Sequence, residues 1–283
     1  MRSERVKTNG INLHVIDHGG DGPVLILTPG LTANARFFDA IVEDGLGDGV
    51  RVLAVDLRGR GLSDKPSTGY TMEDHGRDIL GLLDWFGIKK VALGGHSYGG
   101  LLTYFLAAHH PERVDRCVVL DAPGEVDPGI VEQIKPSLAR LESSAPSFAA
   151  YLENVRSQPY FGDWWDPRIE NYYRADVEEL PDGSAKPRSS PDHITQAIDG
   201  TLTIDWHELL HRVHAPTLLV RATGGFGLPG SPPILPAGVG ARTLEALSDA
   251  KMVDVAGNHI TAFFGTSSAR VAEAIKSFIL EDS

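Results

Sequence analysis

A single cysteine, Cys117, is too few for a disulfide framework, and its place inside an apolar run fits a reducing compartment. No stretch approaches the roughly 18 apolar residues of a membrane span, and the opening MRSERVKTNG lacks the apolar core of a secretory signal. Positive charge is also short. Against 38 Asp and Glu stand 26 Lys and Arg, and the formal charge of -12 argues against nucleic acid or an anionic membrane surface as a partner. Internal repeats and long low-complexity segments are missing as well. These absences predict a cytoplasmic protein whose partner is a small-molecule substrate, with monomer and homodimer both open.

What is present is ordinary for a globular chain: 42% hydrophobic and 23% charged residues over 283 positions, enough for one large core with an inserted lobe. Apolar runs alternate with helical patterns. RVKTNGINLHVIDHG reads as a hairpin turned at Asn9-Gly10. PVLILTPG, RVLAVDLRGRG, KKVALGGHS, VDRCVVLDAP, APTLLVRAT and KMVDVAG read as strands. Between them lie helix candidates, among them TMEDHGRDILGLLDWFG with Thr71 and Asp74 in a capping-box arrangement. Such alternation implies an α/β fold, a mostly parallel sheet covered by helices on both faces. Residues 124–213 interrupt it with helical stretches, aromatics (YFGDWWDPRIENYY) and a polar, proline-broken loop, Pro181 to Pro191, expected at the surface. They read as a helical cap over the strands' carboxyl ends, inserted into a core made of 1–123 and 214–283.

The strongest chemical signal is GGHSYGG. Gly95-His96-Ser97-Tyr98-Gly99 matches the Gly-x-Ser-x-Gly elbow and stands between an apolar strand and a helix, where a serine hydroxyl is presented on a strained turn. Its neighbours must be small for strand and helix to approach, as Gly95, Gly99 and Gly100 are. A serine nucleophile needs a base, and His259 in VDVAGNHITAFFG is placed after the last strand. The other histidines have duller positions: His109 and His110 close a helix, His18, His75 and His193 lie in polar loops or at helix starts, and His96 packs beneath the elbow.

Two motifs are decoys. HELLH (His207 to His211) resembles a zinc site, but Pro216 and a strand follow almost at once, too soon for the long helix such a site needs. GFGLPG is followed by SPPILPAG, which cannot open the helix of a dinucleotide site. No metal or cofactor is expected.

With the elbow, the DLRGRGLSDKP turn, the insertion between VVLDAP and PTLLV, and the terminal GNH, the chain resembles the α/β-hydrolase superfamily over nearly its whole length. GLSDKPSTGY, VVLDAP and DGSAKPRSS bring it nearest to the branch containing E-2-(acetamidomethylene)succinate hydrolase, alongside carboxylesterases. The resemblance implies an eight-stranded α/β-hydrolase sheet, and an oxyanion hole built from the backbone N–H groups of Tyr98 and Leu31, although Pro29 stands where the loop often carries histidine. It also frames the choice of acid. In much of the superfamily the acid follows the strand that here reads PTLLV, but RATGGFGLPGSPPILPAGVGAR contains no Asp or Glu. Other members place the acid one strand earlier, where Asp121 stands; Glu125 is the runner-up. Phe38 (with Phe37) and Trp164 and Trp165 (with Tyr160 and Phe161) are candidate substrate-binding residues, the alternative being that the tryptophans form the cap's own core. The expected activity is hydrolysis of a carboxylic ester, lactone or amide through an acyl-enzyme. C–C cleavage of a vinylogous diketone and a receptor with negligible turnover remain open on the same residues.

Overall fold

The structure, a computed structural model, describes residues 1–126, 129, 134, 138–142 and 144–281. Strands β1 (Arg2–Thr8) and β2 (Ile11–Asp17) form an antiparallel hairpin. Asn9 and Gly10 turn it with φ of 44° and 80°, the positive pair a two-residue turn requires. Next come β3 (Val24–Thr28), β4 (Arg51–Val55), helix α1 (Met72–Trp85), β5 (Val91–His96), α2 (Tyr98–His109) and β6 (Val114–Leu120). The capping box of Thr71 and Asp74 forms as the pattern suggests and sets the start of α1.

The segment between β6 and the next sheet strand holds α3 (Phe148–Arg156), α4 (Ile169–Asp176), a small hairpin of β7 (Val177–Glu179) and β8 (Ala185–Pro187), α5 (Pro191–Leu202) and α6 (Trp206–Leu210). The chain closes with β9 (Thr217–Ala222), α7 (Ala237–Ala246), β10 (Ala250–Val255) and α8 (Ser268–Leu280). The main sheet has eight strands in the order β1-β2-β4-β3-β5-β6-β9-β10, parallel from β4 onward. Its central strands are buried on both faces, as their unbroken apolar runs demand. The loop from Pro181 to Pro191 is not wholly on the surface: its centre is β8, with Ala185 and Pro187 buried.

Among the described residues, the apolar side chains of the inserted segment join the core of the sheet domain. Phe148, Tyr151, Phe161, Tyr172 and Tyr173 belong to the same apolar cluster as Phe37, Phe263 and Phe264 of the sheet domain. The Tyr172 ring meets Phe37 edge-on at 5.7 Å. Each such ring contributes roughly 1.5–3 kcal/mol by leaving water, so segment and sheet stabilise one another. Polar ties add register. Asn34 Nδ2 donates to the Tyr172 carbonyl at 3.1 Å, and Arg140, paired with buried Asp176, donates to Thr32 O at 3.1 Å and to Thr32 Oγ1 at 2.8 Å. The loop after β3 is thereby clamped from above. Among the described residues, no helix is long and apolar enough to cross a membrane.

Candidate active site

Ser97 stands between β5 and α2 with φ 52° and ψ -115°, a conformation that L-residues rarely adopt. The strain is held by close packing. A Cβ on Gly95 would lie 2.3 Å from the Gly99 carbonyl carbon, one on Gly99 would lie 2.0 Å from Thr28 O, and one on Gly100 would lie 2.6 Å from Ala122 Cβ. Glycine at these positions therefore lets β3, β5 and α2 meet. Ser97 N donates to Leu120 O at 2.9 Å, fixing the turn against the end of β6.

Asp121 follows directly from that strand end. It is fully buried and has φ 49°, a left-handed turn that aspartate tolerates better than most residues. Its Oδ1 accepts from Ala222 N at 3.0 Å, and its Oδ2 lies 2.7 Å from His259 Nδ1. A carboxylate only accepts, so Nδ1 carries the proton and Nε2 of the neutral ring keeps a free lone pair. The end of β9, which lacks an acid, thus contributes a backbone amide that orients one. Glu125 is placed elsewhere: it is exposed and paired with Arg242 at 2.5 Å.

Ser97 and His259 open on a common cavity of about 60 Å³, walled by Leu31, Phe37, Tyr172, Phe226 and Ile260 among others. Tyr98 is the first residue of α2, so its N–H has no intrahelical acceptor and sits at the positive end of the helix dipole. Leu31 faces the same cavity from the loop after β3.

Two residues that sequence reasoning undervalued support this arrangement. His96 is buried, its Nε2 donates to the His259 carbonyl at 2.7 Å, and its ring stacks on Phe37 at 4.3 Å. Burial holds its pKa well below the ordinary value, with the nearby His259 adding to the effect, so it stays neutral. Arg60 is fully buried and has no carboxylate partner among the described residues. Its Nε donates to Leu31 O at 2.9 Å, its Nη1 to Arg58 O at 2.7 Å, and its guanidinium lies 5.5 Å from the Tyr98 ring centre. One buried cation therefore touches both residues of the expected oxyanion hole. Nothing in DLRGRG marks it, because an arginine between glycines reads as a solvated turn.

The three expected pocket residues lie outside the described wall of this cavity. Phe38 is fully buried and absent from the cavity wall; Phe37 lines it instead, with the Phe38 ring packed edge-on against it at 5.5 Å. Trp164 and Trp165 are also outside the wall. They pack against the apolar cluster, Trp164 stacked with Phe161 and Trp165 under the Arg156 guanidinium. Tyr172 and Phe226 supply the aromatic surface instead. HELLH runs through the five-residue α6 into its C-cap, His211, with the His207 and His211 rings edge-on at 4.7 Å, and no group of three metal-ligating side chains occurs among the described residues.

The alpha/beta hydrolase fold family matches residues 23–265. The chain belongs to that family. The 2-(acetamidomethylene)succinate hydrolase of Mesorhizobium japonicum is 30% identical over 223 residues, 77% of this chain and 77% of its own. The crystal structure of E-2-(acetamidomethylene)succinate hydrolase superposes with a TM-score of 0.82 at 27% identity, over 98% of both chains. The enol-lactonase of Burkholderia xenovorans shares the fold, with a TM-score of 0.76 at 22% identity over 98% of this chain and 100% of its own. For this hydrolase-family chain, relatives and strand order agree on the architecture.

Proposed function

We propose that the chain is a serine hydrolase that cleaves the carboxylic ester, lactone or amide of a small organic acid through an acyl-enzyme at Ser97. The observation that carries this reading is the 2.7 Å contact between His259 Nδ1 and Asp121 beside a serine on a strained elbow. His259 Nε2 takes the Ser97 proton as Oγ attacks the carbonyl, and Tyr98 and Leu31 N–H groups hold the developing oxyanion. His259 then gives the proton to the leaving group, and water activated by the same nitrogen releases the acid.

The wall bears on the substrate. None of its described residues is Lys, Arg, Asp or Glu, and its aromatic and aliphatic side chains suit an uncharged acyl group. The substrate named for the Mesorhizobium relative is a succinate. Here an apolar acyl amide or ester is the better fit.

The test is a panel of p-nitrophenyl esters, matching anilides and lactones, with an alkyl fluorophosphonate as label. Turnover should rise from acetate to butyrate, be lower for the hemisuccinate, and disappear in Ser97→Ala together with the label that maps to residue 97. Full turnover in Ser97→Ala would overturn the reading.

A further inference from the structure

The edge hairpin carries a second serine–histidine–carboxylate relay, which the chemistry at Ser97 does not use. Ser3 pairs across the hairpin with Ile16, and His14 pairs with Arg5, so Ser3 and His14 are diagonal neighbours on one face. Ser3 Oγ lies 2.7 Å from His14 Nε2, and His14 Nδ1 lies 2.7 Å from Asp56 Oδ2. The histidine and the carboxylate are buried, whereas Ser3 is open to solvent. Asp56 also accepts from Ala35 N at 2.7 Å and from Leu62 N at 2.8 Å, which fixes its orientation. As at Asp121, an acceptor on Nδ1 places the proton there and turns the Nε2 lone pair toward the serine hydroxyl.

The relay opens on a cleft of about 410 Å³ whose wall includes Arg36, Arg174 and Arg188. Arg36 and Arg174 each have one carboxylate neighbour, Asp39 at 2.9 Å and Glu179 at 2.7 Å; Arg188 forms no ion pair among the described residues. In a chain of net charge -12, Arg188 leaves one guanidinium on this wall without an ion pair among the described residues, and such a group favours an anion.

We propose that this cleft is a second acyl-accepting site, in which Ser3 takes the acyl group of activated esters of small carboxylate-bearing acids. Ser3 Oγ forms the new bond to the carbonyl carbon while His14 Nε2 takes the hydroxyl proton. The bond to the leaving phenol or alcohol breaks, and the imidazolium returns that proton to the departing oxygen. The arginines hold the free carboxylate of the acyl group. Ser3 lies in a regular strand with no elbow and no helix N-terminus behind it, so the oxyanion lacks a backbone hole. Acylation is therefore a single stoichiometric event, and the acyl-Ser3 ester persists.

The test uses full-length Ser97→Ala protein with p-nitrophenyl hemisuccinate. The expected result is a stoichiometric burst of nitrophenolate and a succinyl group mapped by mass spectrometry to Ser3. Ser3→Ala, at an exposed position that leaves the fold intact, should remove both, and His14→Gln should slow the burst by about 10²-fold. The neutral p-nitrophenyl butyrate should acylate Ser3 about tenfold more slowly, a preference that Arg188→Met reduces. A burst that survives Ser3→Ala, a succinyl group found only on lysines, or no burst at all would overturn the proposal. Equal rates for the charged and neutral esters would overturn its anionic substrate class.

Discussion

Ser97 and Ser3 each share a wall with a histidine whose Nδ1 lies 2.7 Å from a buried carboxylate, yet the backbones beneath the two serines have little in common. Ser97 is held at φ 52° at the head of α2, whereas Ser3 lies in an edge strand. Both relays settle where the proton sits. Only Ser97 stands at a helix start, the place where the proposed mechanism needs N–H groups. The difference teaches that a histidine–carboxylate pair beside a serine is common to both places, whereas glycines, backbone strain and a helix start are found only at Ser97.

The largest effects should come from breaking the relay under the elbow. Asp121→Asn keeps its shape but presents the wrong partner to His259, and kcat should fall on the order of 10³ to 10⁴-fold while the melting temperature changes little. Glu125→Gln, which removes only an exposed ion pair, should leave kcat nearly unchanged. If Glu125→Gln is the inactive variant, the acid has been assigned wrongly. The matching change in the other relay, Asp56→Asn, separates the two carboxylates by role. Asp56 ties Ala35 N, Leu62 N and His14 together, so its loss should lower stability by about 1–3 kcal/mol in urea denaturation. Turnover at Ser97 should fall far less than in Asp121→Asn.

A smaller effect should come from the buried cation beside Leu31 and Tyr98, the proposed oxyanion donors. Arg60→Met keeps the side chain's bulk, removes the charge beside Leu31 and Tyr98, and should lower kcat by about 10 to 10²-fold with little change in KM. A rise in KM at unchanged kcat would show that Arg60 shapes the pocket rather than the oxyanion hole.

The two relays also differ in how legible they are. Ser97 and His259 can be read from a five-residue motif and chain order, because the elbow needs small residues at fixed offsets and the base must come from a late loop. Asp121 is legible from an absence, the acid-free loop after PTLLV. The eight-stranded sheet follows from the alternation of apolar runs with helical patterns together with the superfamily likeness. The relay at Ser3 is invisible in sequence, since it depends on a diagonal contact across a hairpin and on a carboxylate about forty positions away, brought in by strand pairing that no local pattern encodes. Phe37 and Phe38 show the same limit at short range. Adjacent rings are equivalent candidates until the 3-10 turn decides which one meets the cavity.

The smallest effect concerns a third histidine–carboxylate pair that never becomes a relay. His18 Nε2 and Asp39 Oδ1 are 3.7 Å apart, too far for a hydrogen bond, and neither atom has another partner among the described residues. Burial therefore dominates and favours the neutral forms, taking His18 from 6.5 down to about 4 and Asp39 from 3.8 up to about 6. The two groups pull stability in opposite directions with pH. Because His18 resists protonation in the fold, its contribution is lost as pH falls from 6.5 toward about 4; because Asp39 resists ionisation, its contribution is lost as pH rises from 3.8 toward about 6. His18→Gln should thus gain stability relative to the parent near the acid end, and Asp39→Asn should gain it near neutrality, by about 1 kcal/mol each. Urea midpoints measured across that range should show the two differences running with opposite slopes. Differences that stay constant with pH would mean that both groups titrate in the folded chain as they do in the unfolded one, and the contrast with the two bonded pairs would then rest on geometry alone.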